Sequence, residues 1–112
     1  MNNNKYTDLI TTIADHYGFA KQTIQTMEEC AELIQALTKQ YRALGCGYDT
    51  PVTAKDAKNH IVEELADVYI CVTQLCYLMG CGEQLEKIVE YKLNRQIERI
   101  KKEELRNEYT NI

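Results

Sequence analysis

Residues 28–47 read EECAELIQALTKQYRALGCG, and residues 63–82 read EELADVYICVTQLCYLMGCG. The two stretches align without a gap at an offset of 35 residues, and both end in Gly-Cys-Gly. Each carries acids in its first half, apolar residues at helical spacing and a closing glycine, which is typical of an amphipathic helix. This repeat predicts a helical hairpin in which equivalent positions of the two helices face each other. Convergence between two amphipathic helices of similar composition is the alternative.

The rest of the chain predicts further helices with few interruptions. One proline and five glycines favour long helices over many short strands. We expect four helices, at about residues 7–17, 20–44, 54–79 and from 83 to 104 or beyond. Thr53 is the expected N-cap of the third helix, residues 45–52 form the predicted loop, and the tail beyond about residue 105 is expected to fray. The predicted fold is all-α and four-helix bundle-like, in a single domain over residues 1–112.

The third predicted helix carries the clearest apolar stripe. Its members recur at helical spacing: Ile61, Leu65, Val68, Val72, Leu75 and Met79. Past Asp67 the apolar surface widens to include Cys71, Cys76 and Leu78. A helix that is apolar on more than one side is buried from several directions. Because the chain is small, some of that burial is expected to come from another subunit, so the bundle is predicted to be oligomeric.

The composition excludes several classes of protein. The chain of 112 residues and 13.0 kDa has 45% apolar and 27% charged residues, an ordinary balance for a folded domain. A net charge of −4 and a pI near 5.2 argue against a nucleic-acid binder. No apolar run approaches the roughly 18 residues of a membrane helix, and the first residues lack the apolar core of a signal peptide. We therefore expect a cytoplasmic protein that binds neither nucleic acid nor a membrane.

The repeat places two pairs of carboxylates at equivalent positions. Glu29 and Glu32 form the first pair, and each member is three residues from the other. Glu64 and Asp67 form the second pair with the same spacing. Residues at i and i+3 share a helix face, so antiparallel packing would bring the four acids together. Clustered carboxylates need a compensating cation, for which Mg²⁺ is the natural partner and Mn²⁺ also fits. The alternative is that the four acids form a solvated acidic face.

Other metal sites fit the sequence less well. No Cys-x-x-Cys pair suggests zinc, and cysteines within apolar helical patterns are expected to act as small hydrophobic residues. A ferritin-like di-iron site needs Glu-x-x-His on two helices, whereas His60 precedes Glu63 in the reverse order. His60 is therefore predicted to be an ordinary helix residue.

A basic stripe lies on the fourth predicted helix. Lys92, Arg95 and Arg99 share one side of it, beside apolar residues. Cations near a metal–carboxylate cluster suit a polyphosphate, because lysine and arginine bind the oxygens that metal ions leave free. Ordinary surface pairing is the alternative, for instance between Arg99 and Glu103. Lys39, beyond the acids on the second predicted helix, is a weaker phosphate candidate.

Two acidic motifs resemble those of a known superfamily. Glu28-Glu29-Cys30-Ala31-Glu32, followed by Glu64-Leu65-Ala66-Asp67, is similar to the EExxE…ExxD signature of the all-α nucleotide pyrophosphohydrolases. That superfamily includes MazG-like proteins, dimeric dUTPases, dCTP pyrophosphatases and phosphoribosyl-ATP pyrophosphohydrolases. Further similar features are a short first helix ending at Tyr17-Gly18, Gln22 ahead of the acids, and Lys92 and Arg95 on the last helix.

The resemblance implies a MazG-type fold and a Mg²⁺-dependent enzyme that hydrolyses a nucleoside triphosphate to the monophosphate and pyrophosphate. It implies metal ligands at four positions: Glu29, Glu32, Glu64 and Asp67. Glu28 would bind a second metal ion, support the ligands or take a proton from water. Glu28 and Glu32 are the predicted catalytic residues. Lys92 and Arg95 would hold phosphates. Small members of the family assemble as dimers or tetramers, so a homodimer or homotetramer is expected.

Two other functions are open at this point. A phosphoribosyl-ATP pyrophosphohydrolase-like enzyme would use the same acids on another substrate. A non-catalytic helical interaction module would carry the acids as a solvated face or as a structural metal site. The chain has no tryptophan to stack on a base, so the preferred base and sugar are also open.

Overall fold

The computed structural model describes residues 4–43 and 53–110, and these ranges contain helices and no strand. Helix α1 spans Asn4–Ala43, α2 spans Ala54–Met79 and α3 spans Gly82–Thr110. The all-α prediction is confirmed. The predicted loop at residues 45–52 lies outside the described residues.

A single glycine divides α1 into two helical segments. Gly18 has φ 84° and ψ 171°, outside the helical region. A residue with a Cβ rarely adopts a positive φ of this size, so glycine allows the chain to change direction here. The predicted break between the first two helices is confirmed at this residue. We call the stretch before Gly18 the first segment of α1 and the stretch after it the second segment.

Helix α2 begins and ends at capping residues. The hydroxyl of Thr53 accepts a hydrogen bond from the main-chain N–H of Asp56 at 3.1 Å. This bond satisfies one of the donors that the first turn of a helix leaves free. At the other end Gly80 adopts the left-handed conformation with φ 62°, which ends the helix. Both predicted bounds of this helix are confirmed.

The chain divides into two compact units, Met1–Gly80 and Cys81–Ile112. The second unit contains α3, which continues to Thr110. This agrees with a helix that reaches residue 104 or beyond, and the fraying expected from about residue 105 is wrong as far as Thr110. None of the residues of α3 is buried, and its apolar side chains are exposed. That residues 1–112 form a single domain stays a prediction. Within the described ranges, no helix has the length and apolar character needed to cross a bilayer.

In the first unit the second segment of α1 runs antiparallel to α2. Gln22, early in that segment, bonds to Gln74, late in α2. Glu29, further along the segment, lies close to Glu64 and Asp67, which come earlier in α2. This register decides which side chains of the two helices meet.

Gln74 joins three parts of the first unit. It is 1% exposed, and its Oε1 accepts a hydrogen bond from Gln22 Nε2 at 2.6 Å. Its Nε2 donates to the main-chain carbonyl of Ile10 at 3.3 Å. Because Ile10 lies in the first segment of α1 and Gln22 in the second, one buried amide ties both segments to α2.

The apolar core of the first unit consists mostly of small side chains. The buried apolar residues in the described ranges are Ala14, Ala36, Ala57, Ile61 and Cys71. The apolar stripe expected on α2 is largely outside this core, because Leu65, Val72 and Met79 are exposed. The neighbouring flank of α2, with Glu64 and Cys71, is buried instead. Acidic side chains therefore come to lie at the contact between the helices.

Replacing Gln74 by methionine is expected to lower the free energy of unfolding by about 2 kcal/mol. Methionine has nearly the same side-chain volume as glutamine, but Gln22 and the Ile10 carbonyl would lose their buried hydrogen-bond partner. Urea unfolding followed by circular dichroism measures the change. Tyr77→Phe is the matched control, because it removes an exposed hydrogen bond of 2.9 Å to Asp15 between the same helices. Equal effects of the two substitutions would contradict the role given to Gln74.

Candidate metal centre

Three carboxylates meet where α1 packs against α2. One oxygen from each of Glu29, Glu64 and Asp67 lies within 4.8 Å of the others. Glu29 is in the second segment of α1, while Glu64 and Asp67 are one turn apart on α2. The antiparallel register therefore brings together three of the four acids that the repeat pairs. We call these three residues the carboxylate centre.

Glu29 is bonded by a neighbour on its own helix. Gln25, one turn earlier in α1, donates a hydrogen bond from Nε2 to Glu29 Oε1 at 2.7 Å. The other oxygen, Oε2, is buried and has no hydrogen-bond partner in the described part of the chain. A carboxylate oxygen that has lost water without gaining a donor raises the free energy of the folded state. Glu29 Oε2 is therefore suited to a cation.

Glu64 repeats this arrangement on α2. The residue is 7% exposed, and its Oε1 lies 3.2 Å from Nε2 of His60, one turn earlier. Its Oε2 is buried and, within the ranges that the structure describes, also has no hydrogen-bond partner. His60, expected to be an ordinary helix residue, thus contacts a member of the carboxylate centre.

The three oxygens suit a small divalent cation. Oxygens on opposite sides of Mg²⁺ are about 4.2 Å apart, because each bond is about 2.1 Å long. Oxygens in adjacent octahedral positions are about 3.0 Å apart. The three oxygens lie within 4.8 Å of one another, so the side chains would move closer together to bind one ion. Mg²⁺ and Mn²⁺ prefer such oxygen ligands. The residues present therefore fit Mg²⁺.

The carboxylate centre has few ion-pair partners. Among the described residues, His60 is the only basic side chain within ion-pair distance of any of its three acids. Burial raises the pKa of the Cys71 thiol, and the charges of Glu29 and Asp67 raise it further. The centre is therefore partly buried and negative, so a cation would relieve the repulsion among its carboxylates.

A cleft of about 590 Å³ opens beside the centre. Glu29 and Asp67 line it together with Glu28, Lys21 and Tyr17. The ammonium group of Lys21 lies 5.9 Å from the centroid of the Tyr17 ring. Carboxylates, a cation and an aromatic ring thus share a cavity of a size that is common for small-molecule sites.

Lys21 and Gln25 were not among the predicted site residues, although the sequence carries a signal for both. Lys21, Gln25 and Glu28 follow one another at steps of four and three, which places them on one side of a helix. The pattern alone does not distinguish a side that lines a cleft from a side that faces solvent. Only the packing of α2 against α1 makes that distinction.

The other predicted site residues lie outside the carboxylate centre. Glu32 is exposed, one turn beyond Glu29, and is not part of the group of close carboxylates. Lys39 is exposed further along α1, and Lys92 and Arg95 are exposed on α3. The roles of these four residues as ligand, catalytic group or phosphate partners stay predictions.

Comparisons of the chain with protein-family models, with curated proteins and with solved structures find no match. The resemblance of the two acidic motifs to the all-α nucleotide pyrophosphohydrolases is therefore a hypothesis. Its support comes from the residues themselves and from the geometry of the carboxylate centre.

Glu64→Gln is expected to stabilise the metal-free protein. The amide oxygen can keep the contact with His60 Nε2, and one charge is removed from a crowded, partly buried centre. A gain of about 1 kcal/mol would raise the melting temperature by about 4 °C. Scanning calorimetry in a chelating buffer measures the change. Glu63→Gln is the matched control, because Glu63 is exposed and its charge should matter little.

Added Mg²⁺ is expected to stabilise the wild-type protein only. Its melting temperature should rise with the Mg²⁺ concentration, as binding to the folded state requires, whereas that of the Glu64→Gln variant should not. Two results together would contradict a cation site. The Glu64→Gln variant would be less stable than the wild type in the chelating buffer, and Mg²⁺ would not change the melting temperature of the wild type.

Proposed function

We propose that the protein is a Mg²⁺-dependent nucleoside triphosphate pyrophosphohydrolase, which converts an NTP or dNTP and water to the monophosphate and pyrophosphate. The observation that carries the proposal is a pair of buried oxygens, Glu29 Oε2 and Glu64 Oε2, that have no hydrogen-bond partner among the described residues. Asp67 completes the cluster. All three acids belong to the EExxE…ExxD pattern, which is similar to the signature of the all-α nucleotide pyrophosphohydrolases.

The cleft favours a substrate with a phosphate part and a flat part. Carboxylates repel phosphates, so the acidic end of the cleft requires a cation before a polyphosphate can bind. Lys21 brings a positive charge to the same cleft, and lysine binds phosphate oxygens as a point charge. Tyr17, whose ring lies beside Lys21, offers an aromatic surface for a base. A nucleoside triphosphate combines both parts.

Glu29, Glu64 and Asp67 would hold the cation, with Glu32 as a further ligand from the next turn of α1. A bound Mg²⁺ would neutralise charge on the phosphate oxygens and favour the ionisation of water. The charges of the three carboxylates would repel a phosphate group on their own. A cation bound between them would allow the reacting phosphate to lie at the mouth of the centre.

In the proposed reaction a water oxygen forms a bond to the α-phosphorus. The bond from that phosphorus to the oxygen that bridges to the β-phosphorus breaks, and pyrophosphate leaves with the bridging oxygen. Glu28 is proposed to accept the proton of the attacking water, because it is exposed and lines the cleft without belonging to the group of close carboxylates. Glu32 is the second choice for this role. Lys21 would stabilise the negative charge that develops on the phosphate oxygens.

Lys92, Arg95 and Lys39 are proposed to bind further phosphate oxygens. Each is an exposed cation in the described structure, and the first two match positions of the family pattern. A four-helix bundle-like, MazG-type arrangement of the helices is part of the same proposal and depends on the same resemblance.

A substrate panel tests the proposal. Ribo- and deoxynucleoside triphosphates are incubated with the purified protein and Mg²⁺, and the products are identified by phosphorus NMR. We expect monophosphate and pyrophosphate. Phosphoribosyl-ATP belongs in the panel, because the same centre would suit it. A nucleoside diphosphate with inorganic phosphate would contradict attack at the α-phosphorus, and no hydrolysis with either Mg²⁺ or Mn²⁺ would contradict an enzyme.

Two variants connect the activity to the carboxylates. Asp67→Asn and Glu32→Gln should each lower kcat by about 100-fold or more at saturating Mg²⁺, with an unchanged circular dichroism spectrum, since an electrostatic group at the reacting phosphate is lost. Glu63→Gln is the matched control and should retain full activity, because this exposed neighbour is outside the carboxylate centre. Full activity of Asp67→Asn would contradict the assignment of the centre.

We also propose that the chain acts as a homodimer or homotetramer. Helix α2 exposes Leu65, Val72 and Met79, and α1 exposes Ile34 and Leu37. Large exposed apolar surfaces mark interfaces between proteins. Light scattering is expected to give the mass of two or four chains of 13.0 kDa, and Leu65→Asp should shift it toward one chain. The mass of a single wild-type chain at micromolar concentration would contradict this assembly.

A further inference from the structure

Each glutamate of the carboxylate centre contacts a polar side chain one helical turn earlier. Gln25 Nε2 lies 2.7 Å from Glu29 Oε1, and His60 Nε2 lies 3.2 Å from Glu64 Oε1. Gln25 and His60 are 35 residues apart in the chain, which is also the spacing of Glu29 and Glu64. The same offset as in the internal repeat therefore places a side-chain nitrogen beside each of the two glutamates.

Each contact involves Oε1 and, within residues 4–43 and 53–110, leaves Oε2 without a hydrogen-bond partner. The two free oxygens, Glu29 Oε2 and Glu64 Oε2, are buried, and both residues belong to the carboxylate centre. A glutamate side chain has several rotamers, so fixing it around a cation costs conformational entropy. A hydrogen bond that fixes the carboxylate beforehand reduces the cost of binding.

The contact between His60 and Glu64 differs from an ordinary surface ion pair. The Glu64 side chain is 9% exposed, whereas the His60 side chain is 41% exposed. Pairs between two exposed side chains contribute little, because water competes for both groups. Here the carboxylate is withdrawn from water, so the contact with His60 has more influence on where the carboxylate lies.

We propose that Gln25 and His60 are positioning residues for a divalent cation, each holding its glutamate so that Oε2 is presented to the carboxylate centre. The inference depends on the proposed metal site and adds to it two residues that are not ligands themselves. Outer partners of this kind orient the ligands of protein metal sites and tune their affinity. Replacing either residue should therefore weaken cation binding without changing the fold.

Mn²⁺ alone is the probe, without any nucleotide. Electron paramagnetic resonance of the free ion, in titrations of the full chain, gives the Kd. We expect His60→Ala to raise the Kd for Mn²⁺ by about 10–100-fold, the usual effect of removing an outer partner. His60→Gln should restore the wild-type Kd, because glutamine already serves at the equivalent position 25. Asn59→Ala, at an exposed neighbour, is the matched control and should leave the Kd unchanged.

The outcomes separate this inference from the proposed function. A wild-type Kd in the His60→Ala variant would overturn the inference and leave the proposed enzyme standing. An equal rise of the Mn²⁺ Kd in His60→Ala and His60→Gln would also overturn it. Restoring a hydrogen-bond donor at this position would then have no effect on the affinity. Failure of the wild-type protein to bind Mn²⁺ would overturn the inference and the metal-dependent function together.

Gln25→Ala gives the same test on α1. Gln25 is exposed, so its loss should not affect folding, and circular dichroism at the titration temperature verifies that the variant is helical. A similar rise of the Mn²⁺ Kd is expected. An unchanged Kd would overturn the inference for α1. This test is valid even if the His60→Ala variant loses helical content, because it uses a different variant.

Discussion

Glu29 Oε2 and Glu64 Oε2 are buried oxygens that find no hydrogen-bond partner in the part of the chain that the structure describes. They belong to helical segments that pack antiparallel. With Asp67 they form a centre in which repulsion among carboxylates opposes the helix contact that creates it. A divalent cation would replace this repulsion by attraction to all three groups. We therefore expect the centre to destabilise the metal-free chain, and the same centre is the basis for the proposed chemistry.

The register of the helices is maintained by polar contacts as well as by apolar packing. Gln74 binds Gln22 and the carbonyl of Ile10, so the same buried amide sets the position of α2 against both segments of α1. A shift of one helical turn would break these bonds and would also separate Glu29 from Glu64. Because the buried apolar residues of the first unit are mostly small, these directional bonds are important for a unique arrangement.

Local signals in the sequence predict much of this structure, while tertiary placement decides the rest. Thr53 and Gly80 mark the ends of α2, and Gly18 marks the break in α1, because caps and positive φ angles demand particular residues. The acids were paired by spacing alone, since i and i+3 share a helix face. In contrast, Leu65 has the pattern of a core residue but is exposed, because a helix that is apolar on several sides leaves the choice to its partners. His60 resembles an ordinary helix residue until its contact with a buried glutamate is known.

The position of a bound cation tests the central claim most directly. Crystals of the protein soaked in Mn²⁺ would locate the ion in an anomalous difference map. We predict a peak within coordination distance of carboxylate oxygens from Glu29, Glu64 and Asp67. A map with no peak between these residues, at a Mn²⁺ concentration that supports binding or activity in solution, would contradict the assignment of the carboxylate centre as a metal site.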